Sequence, residues 1–103
     1  MRILFATCSP QESDALVGTL LEERLIGCAN VVPGVRSHYW WEGEICHDEE
    51  VLLFMETDDE TVPAATRRLR ELHSYDVPKI LVLEPSDCDA DYRSWLEAIV
   101  GSR

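Results

Sequence analysis

Positive charge is what this sequence has least of. Nine Lys and Arg stand against 20 Asp and Glu in 103 residues, a formal net charge of −11, and Lys79 is the only lysine. A protein that grips a phosphate backbone needs a basic face, so nucleic-acid binding is excluded as an expectation. Long apolar runs are missing too. The longest, Val51-Leu52-Leu53-Phe54-Met55, is far short of the roughly 20 residues that cross a bilayer. Met1-Arg2-Ile3-Leu4-Phe5 leads straight into a strand pattern, without the h-region or cleavage site of a signal peptide. No membrane partner and a cytoplasmic location are therefore expected. The glycines form no phosphate-cradling loop. Cys8, Cys28, Cys46 and Cys88 form no C-x-x-C pair, and without a secretory leader they read as thiols rather than disulfides or a structural zinc site.

What is present is an ordinary globular composition, 46% hydrophobic and 28% charged, enough for one domain over residues 1–103. Ile3 to Cys8 is apolar on both alternations and reads as a central strand. Ser9-Pro10-Gln11-Glu12 has the form of a capping box, predicting a helix from there with a Leu16, Val17, Leu20, Leu21, Leu25 stripe and a left-handed stop at Gly27. A long strand follows from Cys28 to Trp41, bent or bulged at Pro33-Gly34. Glu42-Gly43 makes a tight turn, and a returning strand runs to about Thr57. Both arms are about twice the usual strand length.

Asp58-Asp59-Glu60 opens a second helix with Pro63 in its first turn and Val62, Ala65, Leu69 and Leu72 on one face. Pro78 to Glu84 predicts a fourth strand. Asp89 caps a last helix with Tyr92, Trp95, Leu96, Ile99 and Val100 as its stripe. The order β-α-β-β-α-β predicts an α+β, ferredoxin-like split βαβ fold with a long central hairpin and an extra C-terminal helix, strands one and three lying in the centre. The sheet face without the first two helices needs a cover, from the third helix in part and a partner subunit for the rest.

Three segments together resemble the CutA divalent-cation tolerance family: Cys28-Ala29-Asn30-Val31-Val32-Pro33-Gly34, the hairpin Ser37 to Ile45, and Leu72-His73-Ser74-Tyr75-Asp76-Val77-Pro78-Lys79-Ile80. The likeness extends to the Glu-Glu-Arg-Leu ending of the first helix and to Tyr92-Arg93-Ser94-Trp95-Leu96. It implies a tight homotrimer whose long hairpins reach from one subunit's sheet to the next, an assembly similar to the PII signalling proteins, a link to copper and other divalent ions, and no established reaction. Pairing the arms between chains would resolve the exposed edges of an isolated hairpin. Three positions depart from the family pattern. Glu56 stands where a lysine is usual, Ser74 replaces a proline after the histidine, and Lys79 replaces an acidic residue after Val-Pro.

The candidate site follows from these segments. His73 and Cys28 are the metal-ligand candidates, for copper(II) or another divalent cation, and Tyr75, Asp76 and Trp41 the ligand-binding ones. Each also has a structural reading. His73 can serve the dipole at a helix C-terminus, Tyr75 can fix the path into the fourth strand, and Cys28 can be a small buried apolar residue. Tyr39-Trp40-Trp41 sits among acidic neighbours and reads as packing within an assembly rather than a base-stacking platform. Cys8, before a helix start, is the thiol expected to have a lowered pKa. The expected function is reversible binding of a metal ion, with no catalysis. A PII-like regulator of an organic small molecule, using a basic pocket from Arg24, Arg36 or Arg67-Arg68-Arg70, and a trimeric scaffold for protein partners are the alternatives.

Overall fold

Strand alternation decides which residues the core receives. A computed structural model describes residues 1–101. In β1 (Arg2–Cys8), Leu4, Ala6 and Cys8 point to one face and are fully buried. They are joined by Val51, Leu53 and Met55 of β3 (Glu44–Thr57), the antiparallel neighbour of β1. Helix α1 (Ser13–Glu22) lays Leu16, Val17 and Leu20 on that face, and α2 (Val62–Leu72) adds Ala65 and Leu69. β2 (Cys28–Trp41) and β4 (Ile80–Leu83) form the edges of a four-stranded antiparallel sheet ordered β2-β3-β1-β4. α3 (Ala90–Ile99) completes the chain. The split βαβ arrangement with β1 and β3 central is as the sequence predicts.

The hairpin follows its sequence signals closely. Glu42 and Gly43 both take positive φ, 51° and 80°, the type I′ geometry that matches strand twist. Between Val32 and Val35 the register shifts by one extra residue in β2, with Gly34 at φ 75°, so Pro33-Gly34 is a bulge. β1 stops at the Cys8–Val51 pair. Beyond it the two arms continue as a free two-stranded ribbon with Trp40 72% and Ile45 66% exposed.

Helix boundaries differ from the sequence reading in physically simple ways. α1 begins at Ser13, because residues 9–12 form a separate turn with Glu12 N–H donating to the Ser9 carbonyl. Half of the expected capping box forms, with Ser9 N–H donating to Glu12 Oε2 at 3.2 Å beside an added Ser9 Oγ bond at 2.7 Å, one turn ahead of the helix. The left-handed stop lies at Arg24, φ 57°, rather than Gly27. Arg24 N–H bonds to Leu21 O and Leu25 N–H to Leu20 O, a Schellman motif with its Leu20–Leu25 apolar closure. Gly27 serves a different need. A Cβ there would stand 2.4 Å from Leu96 Cδ1, so the glycine lets α3 seat its buried Leu96 against the chain. β4 keeps only four of the predicted residues. Asp89 caps α3 as expected, accepting from Tyr92 N–H at 3.1 Å.

The face opposite α1 and α2 carries Phe5, Leu52, Phe54, Val32, Leu81 and Leu83 by strand parity and register. α3 reaches this face at one end, where Tyr92 O–H donates to Glu56 Oε1 at 2.5 Å. Val32, Leu81 and Leu83 remain 41–45% exposed.

Candidate functional site

The site is built where α2 ends. His73 leaves the helix in extended conformation and turns its ring inward, 7% exposed. Its Nε2 lies 2.8 Å from the Thr7 carbonyl, just past the Ala6–Ile80 pair where the β4 ladder stops. Its Nδ1 accepts the Tyr75 N–H at 3.1 Å. A ring nitrogen that accepts an amide hydrogen has no proton, so Nε2 carries it and donates to the carbonyl. Both nitrogens are thus engaged, and as placed the ring offers no free lone pair to a cation. The dipole role considered for His73 is likewise replaced by a bond to β1.

That bonding fixes Tyr75. Its ring packs on His73 at 4.5 Å between centroids, and its O–H donates to Glu50 Oε2 at 2.8 Å. Glu50 is 5% exposed. Burial first, then the hydrogen bond to Glu50, pushes the Tyr75 phenol far above its ordinary value, so it remains a donor. Two rungs out along β3, on the same strand face, Asp48 accepts from the Tyr39 hydroxyl, which is pushed up to about 12 chiefly by that bond.

These groups wall a broad cleft of about 1100 Å³ between the base of the hairpin and residues 75–79. Trp41, Tyr75 and Asp76 all line it. Cys28 does not: it pairs with Glu56, about four residues along β1 from Thr7, or ~13 Å at the usual strand rise. The cleft residues that the sequence reading did not single out for the metal or ligand site are Tyr39, Asp48, Glu49, Glu50 and Lys79. By composition alone Asp48-Glu49-Glu50 reads as a solvated acidic run. The missed signal was parity, since Glu50 shares its strand face with Leu52 and Phe54. Of the arginines proposed for a basic pocket, Arg36 lines the cleft, while Arg68 is held by Glu23 at 2.9 Å and Arg24 by the Ile99 carbonyl.

Two of the departures acquire structural roles. Ser74 donates through both N–H and Oγ to Glu12, at 3.0 and 2.7 Å. A proline there would supply neither donor. Burial by itself would raise the Glu12 carboxyl, but the bonds from Ser9 and Ser74 outweigh it and lower the pKa. Glu56 is 7% exposed and its Oε2 has no hydrogen-bond partner among the described residues. Its bond to Tyr92, after burial of that phenol, raises the Tyr92 pKa.

Chemically, the cleft offers carboxylate and phenol oxygens, the donor type of hard divalent cations. Among the described residues, no group of three or more His, Cys, Asp or Glu side chains stands in metal-holding geometry. Cys8 reverses its expectation. It is fully buried, and desolvation, reinforced by Glu12 and Glu50, pushes its thiol up to about 11. No helix is long and apolar enough to cross a membrane among the described residues.

Comparison with known proteins adds a consistent set of likenesses. The family model described as "CutA1 divalent ion tolerance protein" matches residues 2–99. The Divalent-cation tolerance protein CutA of Pyrococcus horikoshii is 42% identical over 97 residues, 93% of this chain and 94% of that one. The solved divalent cation tolerance protein (Cut A1) of Thermus thermophilus superposes with a TM-score of 0.93 at 35% identity, covering 98% of this chain and all of that one. The PII-like protein CutA from Nostoc sp. PCC 7120, in apo form, gives 0.92 at 28% identity over 97% of both chains.

Proposed function

The chain belongs to the CutA1 divalent ion tolerance protein family, and from that membership we propose that it is a cytoplasmic homotrimer, one domain over residues 1–103, that binds divalent cations such as copper(II) reversibly and performs no covalent chemistry. The observation that carries the binding reading is Glu50, a carboxylate withdrawn from solvent yet lining the cleft and held in place by the Tyr75 phenol. Asp48 and Asp76 line the same cleft, so carboxylates reach it from two separate segments, and a shared ion would require these side chains to draw closer than they stand. His73 then acts as the positioning residue that sets Tyr75, and Trp41 walls the cleft. The trimer reading is supported by the unpaired ribbon beyond Cys8–Val51 and by the half-exposed apolar face, since an isolated ribbon is marginal in water and hazardous at its edges.

Native mass spectrometry of the reduced protein during a copper(II) titration tests both parts. A mass of three chains taking up a fixed small number of ions, fewer in Glu50→Gln, is the expected result. A monomer, or ion uptake that climbs gradually and ignores Glu50→Gln, overturns the reading.

A second reading has its own support. Arg36 and Lys79 line the same cleft beside Phe5, Tyr39 and Trp41, a mixture of cation and aromatic surface suited to an organic anion. A PII-like regulator of this kind would show a thermal shift with nucleotides or small carboxylates that metal ions alone do not reproduce.

A further inference from the structure

The carboxylate reading of the cleft leaves two imidazoles unused, His38 on the cleft wall and His47 across the ladder from it. His38 and His47 sit directly opposite one another in the β2–β3 ladder, both with side chains exposed in the single chain. Their ring centroids are 5.7 Å apart and their planes differ by only 32°. Cross-strand partners have Cβ atoms about 4.5–5.5 Å apart, so the backbone itself holds the pair together. We propose that His38 and His47 form a cross-strand two-histidine chelate for a borderline divalent cation, Zn²⁺, Cu²⁺ or Ni²⁺, that uses none of the cleft carboxylates.

The geometry favours a shared ion. With metal–nitrogen bonds of about 2.0–2.1 Å, two imidazoles on one metal place their centroids roughly 5–6 Å apart, so the rings need little more than rotation about their side-chain bonds. The ribbon is stiffened on both sides of the rung, by the type I′ turn at Glu42-Gly43 and by the bulge at Pro33-Gly34. The chelate is therefore pre-organised and little entropy is lost on closing it. The ligand type also differs from that of the cleft. Imidazole is selective for the borderline metals, whereas carboxylate and phenol oxygens take borderline and harder cations alike. On the same face, Arg36 pairs with Glu49 in one direction and Trp40 with Ile45 in the other. The Arg36 guanidinium and the Trp40 indole offer no nitrogen lone pair to a metal. The site is a two-donor chelate, with water completing the coordination.

The test uses the reduced, full-length protein and Zn²⁺, which does not oxidise thiols. Nitrogen-15 spectra of the histidine rings are recorded during the titration, alongside calorimetry of the wild type, His38→Gln and His47→Gln. The expected result is that the His38 and His47 ring signals move together, that the His73 signal stays fixed, and that each substitution weakens Zn²⁺ binding at least tenfold at one ion per chain. Glu50→Gln leaves this site intact, so failure of the cleft reading would not imitate failure of this one. Ring signals of His38 and His47 that ignore Zn²⁺, or binding by both variants equal to wild type, overturn the proposal.

Discussion

The Tyr75 hydroxyl and the Glu50 carboxylate meet at 2.8 Å, and this one bond ties the loop leaving α2 to the base of the hairpin. Glu50 is almost fully withdrawn from water, so losing its donor leaves a buried charge short of a partner. Tyr75→Phe should cost ~1–2 kcal/mol, near the lower end for a hydrogen bond to a charged group because Tyr75 itself is partly exposed. The urea midpoint reads this loss directly. An unchanged midpoint would mean that the loop and hairpin are held by other contacts.

Glu12 makes a pH prediction. Its carboxylate joins Ser9, at the entry to α1, to Ser74, just after α2, and its folded pKa lies below the ordinary 4.5. A lowered folded pKa means that the unfolded chain takes up the proton first as pH falls. The stabilisation is therefore complete above about 4.5 and fades as pH drops through the lowered folded value. Glu12→Gln should be less stable than wild type at neutral pH, by ~1–2 kcal/mol. The two thermal midpoints should converge under acid conditions. Parallel midpoints down to the lowest pH would dissociate Glu12 from this clamp.

Most of the fold was legible because its signals are local. Short apolar and aromatic runs gave the strands, Glu42-Gly43 gave the turn, Pro33-Gly34 gave the bulge and Asp89 gave the last cap, all read within a few residues. What was not legible depended on partners distant in sequence. Glu50 reads as one acid in a run until Tyr75, 25 positions later, is folded against it. His73 reads both as a metal ligand and as a structural residue, and the bond that engages its Nε2 comes from Thr7, 66 positions earlier. Arg24 rather than Gly27 ends α1, because a Schellman turn tolerates a left-handed arginine there while Leu96 requires the absence of a side chain at 27.

Gly27 therefore carries a packing prediction rather than a conformational one. Gly27→Ala places a methyl carbon 2.4 Å from Leu96 Cδ1, inside any real contact distance, and Leu96 is fully buried. α3 must shift or Leu96 must leave its rotamer, at ~1–3 kcal/mol. Because the clash falls on Leu96, Leu96→Ala in the Gly27→Ala background should cost less than the two single losses added together. Strict additivity in the double-mutant cycle would deny the contact.

The last prediction concerns the thiol at Cys8. Position before a helix start favours a thiolate only if the donors of that helix end face the sulfur and water reaches it. Here neither holds: α1 begins five residues later, the side chain is buried, and the carboxylates of Glu12 and Glu50 add to the cost of a second negative charge. With its pKa pushed up to about 11 from an ordinary 9.0, the thiol supports folding in its neutral form. That support is intact below about 9 and is lost as pH rises toward 11. Iodoacetamide at about pH 8 should label Cys8 ~100-fold more slowly than an unshifted exposed thiol, with Cys28, Cys46 and Cys88 reacting first. Peptide mapping over time orders the four sites, and Cys8 appearing among the early products would mean that the core around it opens far more readily than its packing implies.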